Sequence, residues 1–263
     1  VSEGPEAILE FSVIDESEDY IVIAKPAPLI VHPSNGRVEP TLLCGLEGLL
    51  AFEIANGHKP AIITRLDRET SGLVLVAKHT DAARQLAMSL QNRRAEKEYL
   101  AIVHGQPEWE EIEVDQPIIR QGLVRESAIW LKRMVHPQGR ESFTQFRCLG
   151  RWENARGCFS EISCLPLTGR THQIRVHLAH LGFPIVGDKI YGAEESSFLE
   201  FIETGWTDEL RERMMLPRQA LHALRLSLPW QGQVREWSCP LARDMIEFRD
   251  GTSGGCDAIN YVV

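Results

Sequence analysis

The chain has 263 residues, of which 43% are hydrophobic and 25% charged, the balance of an ordinary globular protein with enough length to bury a core. No apolar run approaches the roughly 18 residues that a membrane span needs, so no membrane partner is expected. A net charge of −9 weighs against a polyanionic ligand for the molecule as a whole.

In chain order, residues 8–14 (ILEFSVI) and 20–24 (YIVIA) read as two strands around the acidic turn DESED. KPAPLIVHPSNG follows, rich in Pro, Asn and Gly and therefore irregular. Leu at 42, 43, 46, 49 and 50 has helical spacing, which predicts a helix over 41–55 started at Thr41 after Pro40. Residues 60–78 (PAIITRLDRETSGLVLVAK) read as strand, polar connection, strand. A helix follows over TDAARQLAMSLQNR, capped by Thr80 or Asp81. Then comes a strand at 97–104 (KEYLAIVH), closed by Gly105 and Pro107.

The middle of the chain reads as an antiparallel meander of short strands: VDQPIIR, ESAIWLKRMV, ESFTQFRCLGRW and CFSEISCLPL. A helix after LTGR takes Thr171 as its cap and Ile174, Leu178 and Leu181 as its apolar stripe, with Gly182 and Pro184 ending it. Arg175 lies one residue from that stripe, at the expected boundary of core and cleft. Residues 193–219 read as a surface insertion with an amphipathic helix, RQALHALRLSLPW returns to the core, and 250–263 is an expected flexible tail. Strands and helices without regular βα alternation predict an α+β fold on an antiparallel or mixed sheet with flanking helices, one domain over 13–249 after a lead-in at 1–12.

Charge and cysteine placement refine this picture. The first twenty residues hold seven acids and no Lys or Arg, and 192–212 hold seven acids with only Arg211. Between 116 and 151 the balance reverses, with seven Lys or Arg against Glu126 and Glu141, and Arg84, Arg93, Arg94 and Lys97 add to the basic side. Local potential steers a ligand, so this segregation permits a nucleic-acid partner. The six cysteines form no C-x-x-C pair and read as reduced thiols, and the acidic N-terminus has no basic signal region, so a cytoplasmic location is expected.

The connection RLDRETS puts Asp67 between Arg65 and Arg68, whose charges are expected to keep the carboxylate ionised. Taken alone, a loop aspartate beside Ser and Gly more often caps a turn. Elsewhere, His172, His177 and His180 lack the glutamate and spacing of H-E-x-x-H, so no metal site is assigned to them. Asp67 and Glu69, two residues apart on a short connection, are a poor glycosidase pair. No Gly-rich phosphate loop or G-x-S-x-G elbow occurs.

Four long motifs in order, TRLDRETSGLVLVAK, KEYLAIVHG, GRTHQIRVHLAHLGFPIVGDKIYG and RQALHALRL, together with KPAPLIVHPSNG, resemble the RluA-type pseudouridine synthases from about residue 13 to about residue 241. The resemblance implies the pseudouridine synthase fold, a mixed, largely antiparallel sheet with the active site in a central cleft, and an RNA uridine isomerase acting on structured RNA, either ribosomal or transfer RNA. By position it implies that Asp67 is the essential aspartate and that Arg65 helps to displace the target base. Tyr99 would stack on the flipped uracil, Arg175 would form an ion pair with the aspartate, and Leu221 would line the pocket. Thr64 departs from the family, many members of which carry His before RLD. The small N-terminal RNA-binding domain of many relatives is not expected.

Moving uracil from N1 to C5 involves no redox change and no phosphoryl transfer, so neither a metal, a nucleotide nor another cofactor is expected. The reaction needs an unstacked base and a carboxylate held near it. That carboxylate could attack the anomeric carbon, attack the ring, or remove the ribose 2′ proton, and the residues do not choose among these. A monomer is expected. The alternative is a catalytically idle RNA-binding protein that keeps the fold, against which stand Asp67, Tyr99 and Arg175, since binding alone does not require the carboxylate.

Overall fold

The computed structural model describes residues 11–31, 41–192 and 195–251. Most of the expected lead-in, part of the KPAPLIVHPSNG segment and all but the first two residues of the expected tail lie outside the described residues. The chain forms two compact units, the first comprising residues up to Ala95 with Arg225–Pro240, the second Glu96–Leu224 with the residues from Leu241 onward.

In the first unit, β1 (Ser12–Glu16) and β2 (Tyr20–Lys25) form an antiparallel hairpin. Helices α1 (Leu42–Leu49) and α2 (Ala51–Ala55) follow, then β3 (Ala61–Ile62), β4 (Ser71–Ala77) and α3 (Thr80–Gln91). β4 pairs antiparallel with both β2 and β3. It is buried along its whole length, which is why SGLVLVA reads as a continuous apolar run rather than an alternation. Its two faces serve two cores. Val74 and Val76 meet Ile21, Ile23, Leu42, Leu46 and Leu50 on one side. Leu73, Leu75 and Ala77 meet Tyr20, Val22 and Leu86 on the other. Each such aliphatic side chain contributes about 1.5–3 kcal/mol on burial.

The second unit begins with β5 (Glu96–His104), β6 (Glu111–Asp115) and β7 (Ile118–Arg120), and continues with β8 (Arg133–Val135), β9 (Phe143–Asn154) and β10 (Gly157–Pro166). Helices α4 (Gln173–His180), α5 (Glu195–Thr204) and α6 (Asp208–Met214) come next. β10 lies antiparallel between β5 and β9, and β6 pairs with the other side of β9. The core gathers Leu100, Ile102, Phe146, Phe159, Ile162, Ile174 and Leu178 around Leu221. β11 (Leu221–Trp230) gives its first four residues to this unit and the rest to the first unit, where it pairs with β12 (Gln233–Ser238). Helix α7 (Arg243–Asp250) closes the second unit, with Met245 and Phe248 in its core. The fold is α+β with largely antiparallel pairing, as expected.

Several local expectations are corrected. The helix over 41–55 breaks at Leu50, which leaves helical geometry (φ −99°, ψ 24°) and joins Leu42 and Leu46 in the core. Its start holds: the Thr41 hydroxyl accepts from the Cys44 N–H at 3.3 Å. Helix α3 is capped by His79 rather than by Thr80 or Asp81. The ring Nδ1 accepts from Ala82 N–H at 3.3 Å, while Nε2 lies 3.0 Å from Asp19 Oδ1. The expected four-strand meander holds only in part. ESAIWLKRMV keeps three strand residues, and β7 and β8 form a separate two-stranded ribbon. The intervening chain turns through a 3₁₀ segment at Gln121–Leu123, because Gly122 and the buried Ile129 favour a compact loop over an extended strand. Residues 195–214 carry two helices, and Leu210, Met214 and Leu216 beyond them are buried.

Candidate active site

The connection between β3 and β4 is pinned at both ends. At its start the Ile63 and Thr64 N–H groups both donate to the Leu75 carbonyl, at 2.8 and 3.3 Å, and the Thr64 hydroxyl accepts from the Leu75 N–H at 2.8 Å. Thr64 thus uses a short side chain to close a backbone bond that its strand would otherwise leave open. At its far end the Arg68 carbonyl accepts from Leu29 N–H at 3.0 Å and from the Lys25 ammonium at 3.1 Å. Lys25 is buried, and its other donors go to the carbonyls of Pro26 and Leu29, both at 2.9 Å. Three ammonium donors therefore meet three carbonyls, which is what a buried lysine requires. Between the pins, Leu66 packs against the core beneath, Arg65 is exposed, and Asp67 is half-buried with its carbonyl accepting from Thr70 N–H at 3.1 Å. A turn held this way fixes where the carboxylate sits.

The second unit holds the other three candidates. Tyr99 lies on β5 opposite Cys164, half-buried against the core. Leu221 is buried in that core at the start of β11. Arg175 is in α4, which is buried on all sides over Gln173–Leu178 rather than along one stripe. Its polar side chains are therefore committed to partners. The expected cap at Thr171 is replaced by His172, which adopts a left-handed conformation (φ 59°) without a side-chain cap bond. Gln173 supplies the missing contact, its Oε1 accepting from Arg170 N–H at 3.0 Å and from the Thr168 hydroxyl at 2.7 Å.

Gln173 Nε2 donates to the Thr144 hydroxyl oxygen at 2.9 Å, and that oxygen lies 2.9 Å from His177 Nδ1. His177 Nε2 is 3.0 Å from the Gln116 carbonyl, which can only accept. The proton is therefore on Nε2, and Nδ1 accepts from Thr144. Burial pushes the His177 pKa below its ordinary value, so the ring is neutral.

Arg175 forms a fork on Asp188, Nε to Oδ2 at 2.7 Å and Nη2 to Oδ1 at 2.9 Å, and both side chains are buried. Asp188 Oδ1 also accepts from the N–H groups of Ile190 and Tyr191, at 3.0 and 3.1 Å. Burial alone would raise the Asp188 pKa, but the Arg175 charge and these bonds outweigh it and hold the carboxyl below its usual range. The chain reaches this position through Gly187 (φ 75°), where a Cβ would stand 2.0 Å from the Arg218 carbonyl oxygen. The Tyr191 ring lies under the Arg175 guanidinium at 5.1 Å, and its hydroxyl meets His172 Nδ1 at 2.8 Å and accepts from Arg133 N–H at 2.9 Å.

No sequence signal marks Lys25, Asp188 or Tyr191 as functional residues. They sit in KPAPLIV and VGDKIYG, two of the motifs that carry the resemblance, yet nothing in their spacing says which partner each would take. The basic run 116–151 is also partly spoken for. Lys132 pairs with Glu195 at 3.0 Å, Arg147 with Glu111 at 2.8 Å and Arg151 with Glu110 at 2.9 Å. Arg120 instead stacks 3.6 Å over Trp130, whose ring is 74% exposed.

Residues 19–180 match the family described as RNA pseudouridylate synthase. The chain is 36% identical over 246 residues to ribosomal large subunit pseudouridine synthase D of Pasteurella multocida, covering 91% of this chain and 70% of that protein. It is also 36% identical over 247 residues to the protein of the same name from Escherichia coli strain K12, covering 91% and 69%. Among solved structures it is similar to human RNA pseudouridylate synthase domain containing 4, with a TM-score of 0.67 and 25% identity over 89% of this chain and 90% of that one.

Proposed function

Because the chain belongs to the RNA pseudouridylate synthase family, whose members isomerise uridine to pseudouridine in RNA, we propose that it does so in large-subunit ribosomal RNA with Asp67 as the essential carboxylate. The ribosomal target is supported by the names of its relatives in Pasteurella and Escherichia. The idle-fold alternative finds no support. The observation that carries the assignment of Asp67 is the double pinning of its connection by the half-buried Thr64 and the buried Lys25, which spends two polar side chains on the backbone around one half-buried carboxylate.

The chemistry breaks the C1′–N1 bond and forms C1′–C5. N1 gains a proton, C5 loses one, and no electrons or phosphoryl groups are exchanged. An ionised Asp67 serves each of the three routes open to it. Arg65, exposed on the same connection, takes the place of the base it displaces from the stack, Tyr99 offers a π face to the flipped uracil, and Leu221 lends an apolar surface. Arg175, oriented by Asp188, supplies the fixed positive charge of the site. The reaction proceeds in a monomer without nucleotide or metal, since every assigned residue belongs to one chain and no step calls for such a group. The test is pseudouridine mapping of an unmodified large-subunit ribosomal RNA transcript incubated with the purified protein after exhaustive dialysis against chelator. Formation at one or a few defined uridines is expected; an unmodified transcript under conditions where the protein is folded and bound would overturn the reading.

A further inference from the structure

Lys97 differs from the fully buried cations of the second unit. Arg175, Arg218 and Lys189 are all held by carboxylates or carbonyls. Lys97 is partly buried on β5, yet among the described residues it has neither a hydrogen bond nor an ion pair, and desolvation alone acts on it, pushing its pKa down. A cation that has lost part of its hydration without gaining a counter-charge is costly unless a ligand supplies one.

Its position says which ligand. Lys97 and Tyr99 are two apart on one strand, so their side chains leave the same face, with Cα atoms about 7 Å apart at the usual rise of a strand. The Lys97 ammonium lies against Gly169, an exposed residue of the loop before α4. A Cβ built on Gly169 would have Lys97 Nζ as its one neighbour within 4 Å, at 3.9 Å. The missing side chain therefore leaves the ammonium open on that side. RNA carries its formal charge on its phosphates, and a lysine binds phosphate as a point charge.

We infer that Lys97 is a phosphate-binding residue, taking the phosphodiester of the target nucleotide or its immediate neighbour beside Tyr99, through the opening that Gly169 leaves. The inference rests on the assignment of Tyr99 to the uracil.

The test measures binding of a 5′-fluorescein-labelled 20-nucleotide single-stranded RNA between about 50 and 200 mM salt. Losing one phosphate contact on a single strand should reduce the log–log salt slope by about 0.7. Lys97→Met is expected to show that reduction with a thermal midpoint equal to or above that of the unmodified protein, because an unpaired, partly desolvated charge has been removed. Lys97→Arg should restore the slope. Gly169→Val should reproduce the Met result with Lys97 intact, by covering the ammonium. An unchanged slope in Lys97→Met overturns the inference. So does a loss of single-turnover rate with slope and affinity preserved, which would place the charge on the uracil. A lowered midpoint with an unchanged slope would make Lys97 structural and equally sink it. Tyr99→Ala separates the two assignments: full turnover in that variant removes the uracil role of Tyr99, whereas the salt slope of Lys97→Met still reports on the phosphate.

Discussion

Arg175 and Asp188 are joined by two parallel hydrogen bonds of 2.7 and 2.9 Å in a setting where both side chains are buried. The pair holds the guanidinium plane in one orientation, and the amides of Ile190 and Tyr191 hold the carboxylate in turn. Breaking one partner of a buried pair leaves an uncompensated charge at a cost of about 3–5 kcal/mol. Asp188→Asn should therefore lower stability by about that amount in urea unfolding. The double variant Arg175→Met, Asp188→Leu should recover much of the stability while turnover stays lost. A double variant that is both stable and active would show that the pair serves folding alone.

Neutral, buried His177 makes stability depend on pH. Its folded pKa lies below the ordinary 6.5, so below pH 6.5 the unfolded chain binds a proton that the native state does not. Unfolding free energy should fall as pH drops from about 7 towards 5, and His177→Gln should lose that part of the slope. Urea titrations at pH 7, 6 and 5 check this; an identical slope in both proteins would contradict the neutral assignment.

The two pins of the Asp67 connection differ in what they cost to remove. Lys25→Met takes the ammonium from the Pro26 and Leu29 carbonyls, while the Arg68 carbonyl keeps the Leu29 N–H, and should destabilise by about 3 kcal/mol. Thr64→Val orphans one N–H, on Leu75, and should cost about 1–2 kcal/mol in stability. Because a small misplacement of a reacting group lowers rates by up to about 100-fold, Thr64→Val should reduce the single-turnover rate more than RNA affinity, with Thr64→Ser restoring it. Equal effects of Val and Ser on rate would remove the positioning role.

Parts of this architecture were legible in the residues and parts were not, for physical reasons. Ser71–Ala77 announces a strand buried on both faces because every residue in it is small or apolar. Thr41 announces a helix start because its hydroxyl reaches the amide three residues on. His79 was hidden behind two residues with better capping chemistry, and it wins because its other nitrogen meets Asp19. Asp188 lies thirteen residues from Arg175 across a loop, a distance that no local periodicity spans. Of the site, the roles of Asp67, Arg65 and Tyr99 come from the resemblance of long motifs, whereas the residues alone show a turn aspartate between two arginines and a tyrosine in a strand. Nothing in the irregular segment that Lys25 opens shows the three carbonyls that surround its ammonium in the fold.

Arg65 is exposed, and its proposed task is to displace the base. Arg65→Ala should slow single turnover on a structured stem-loop by at least about tenfold, a loss of about 1.4 kcal/mol. It should slow a flexible strand carrying the same uridine much less, since little unstacking remains to be done there. Equal losses on both substrates would assign Arg65 to something other than flipping.

The measurement closest to the central assignment compares Asp67→Asn with the unmodified protein on large-subunit ribosomal RNA transcript. The change removes a charge and hardly alters volume, so thermal midpoint and RNA affinity should stay close to those of the parent. Pseudouridine at the target uridine should form in single-turnover assays with the parent and remain at background with Asp67→Asn over the longest incubation. Measurable pseudouridine formed by freshly prepared Asp67→Asn, with deamidation back to aspartate excluded by mass spectrometry, would contradict the account.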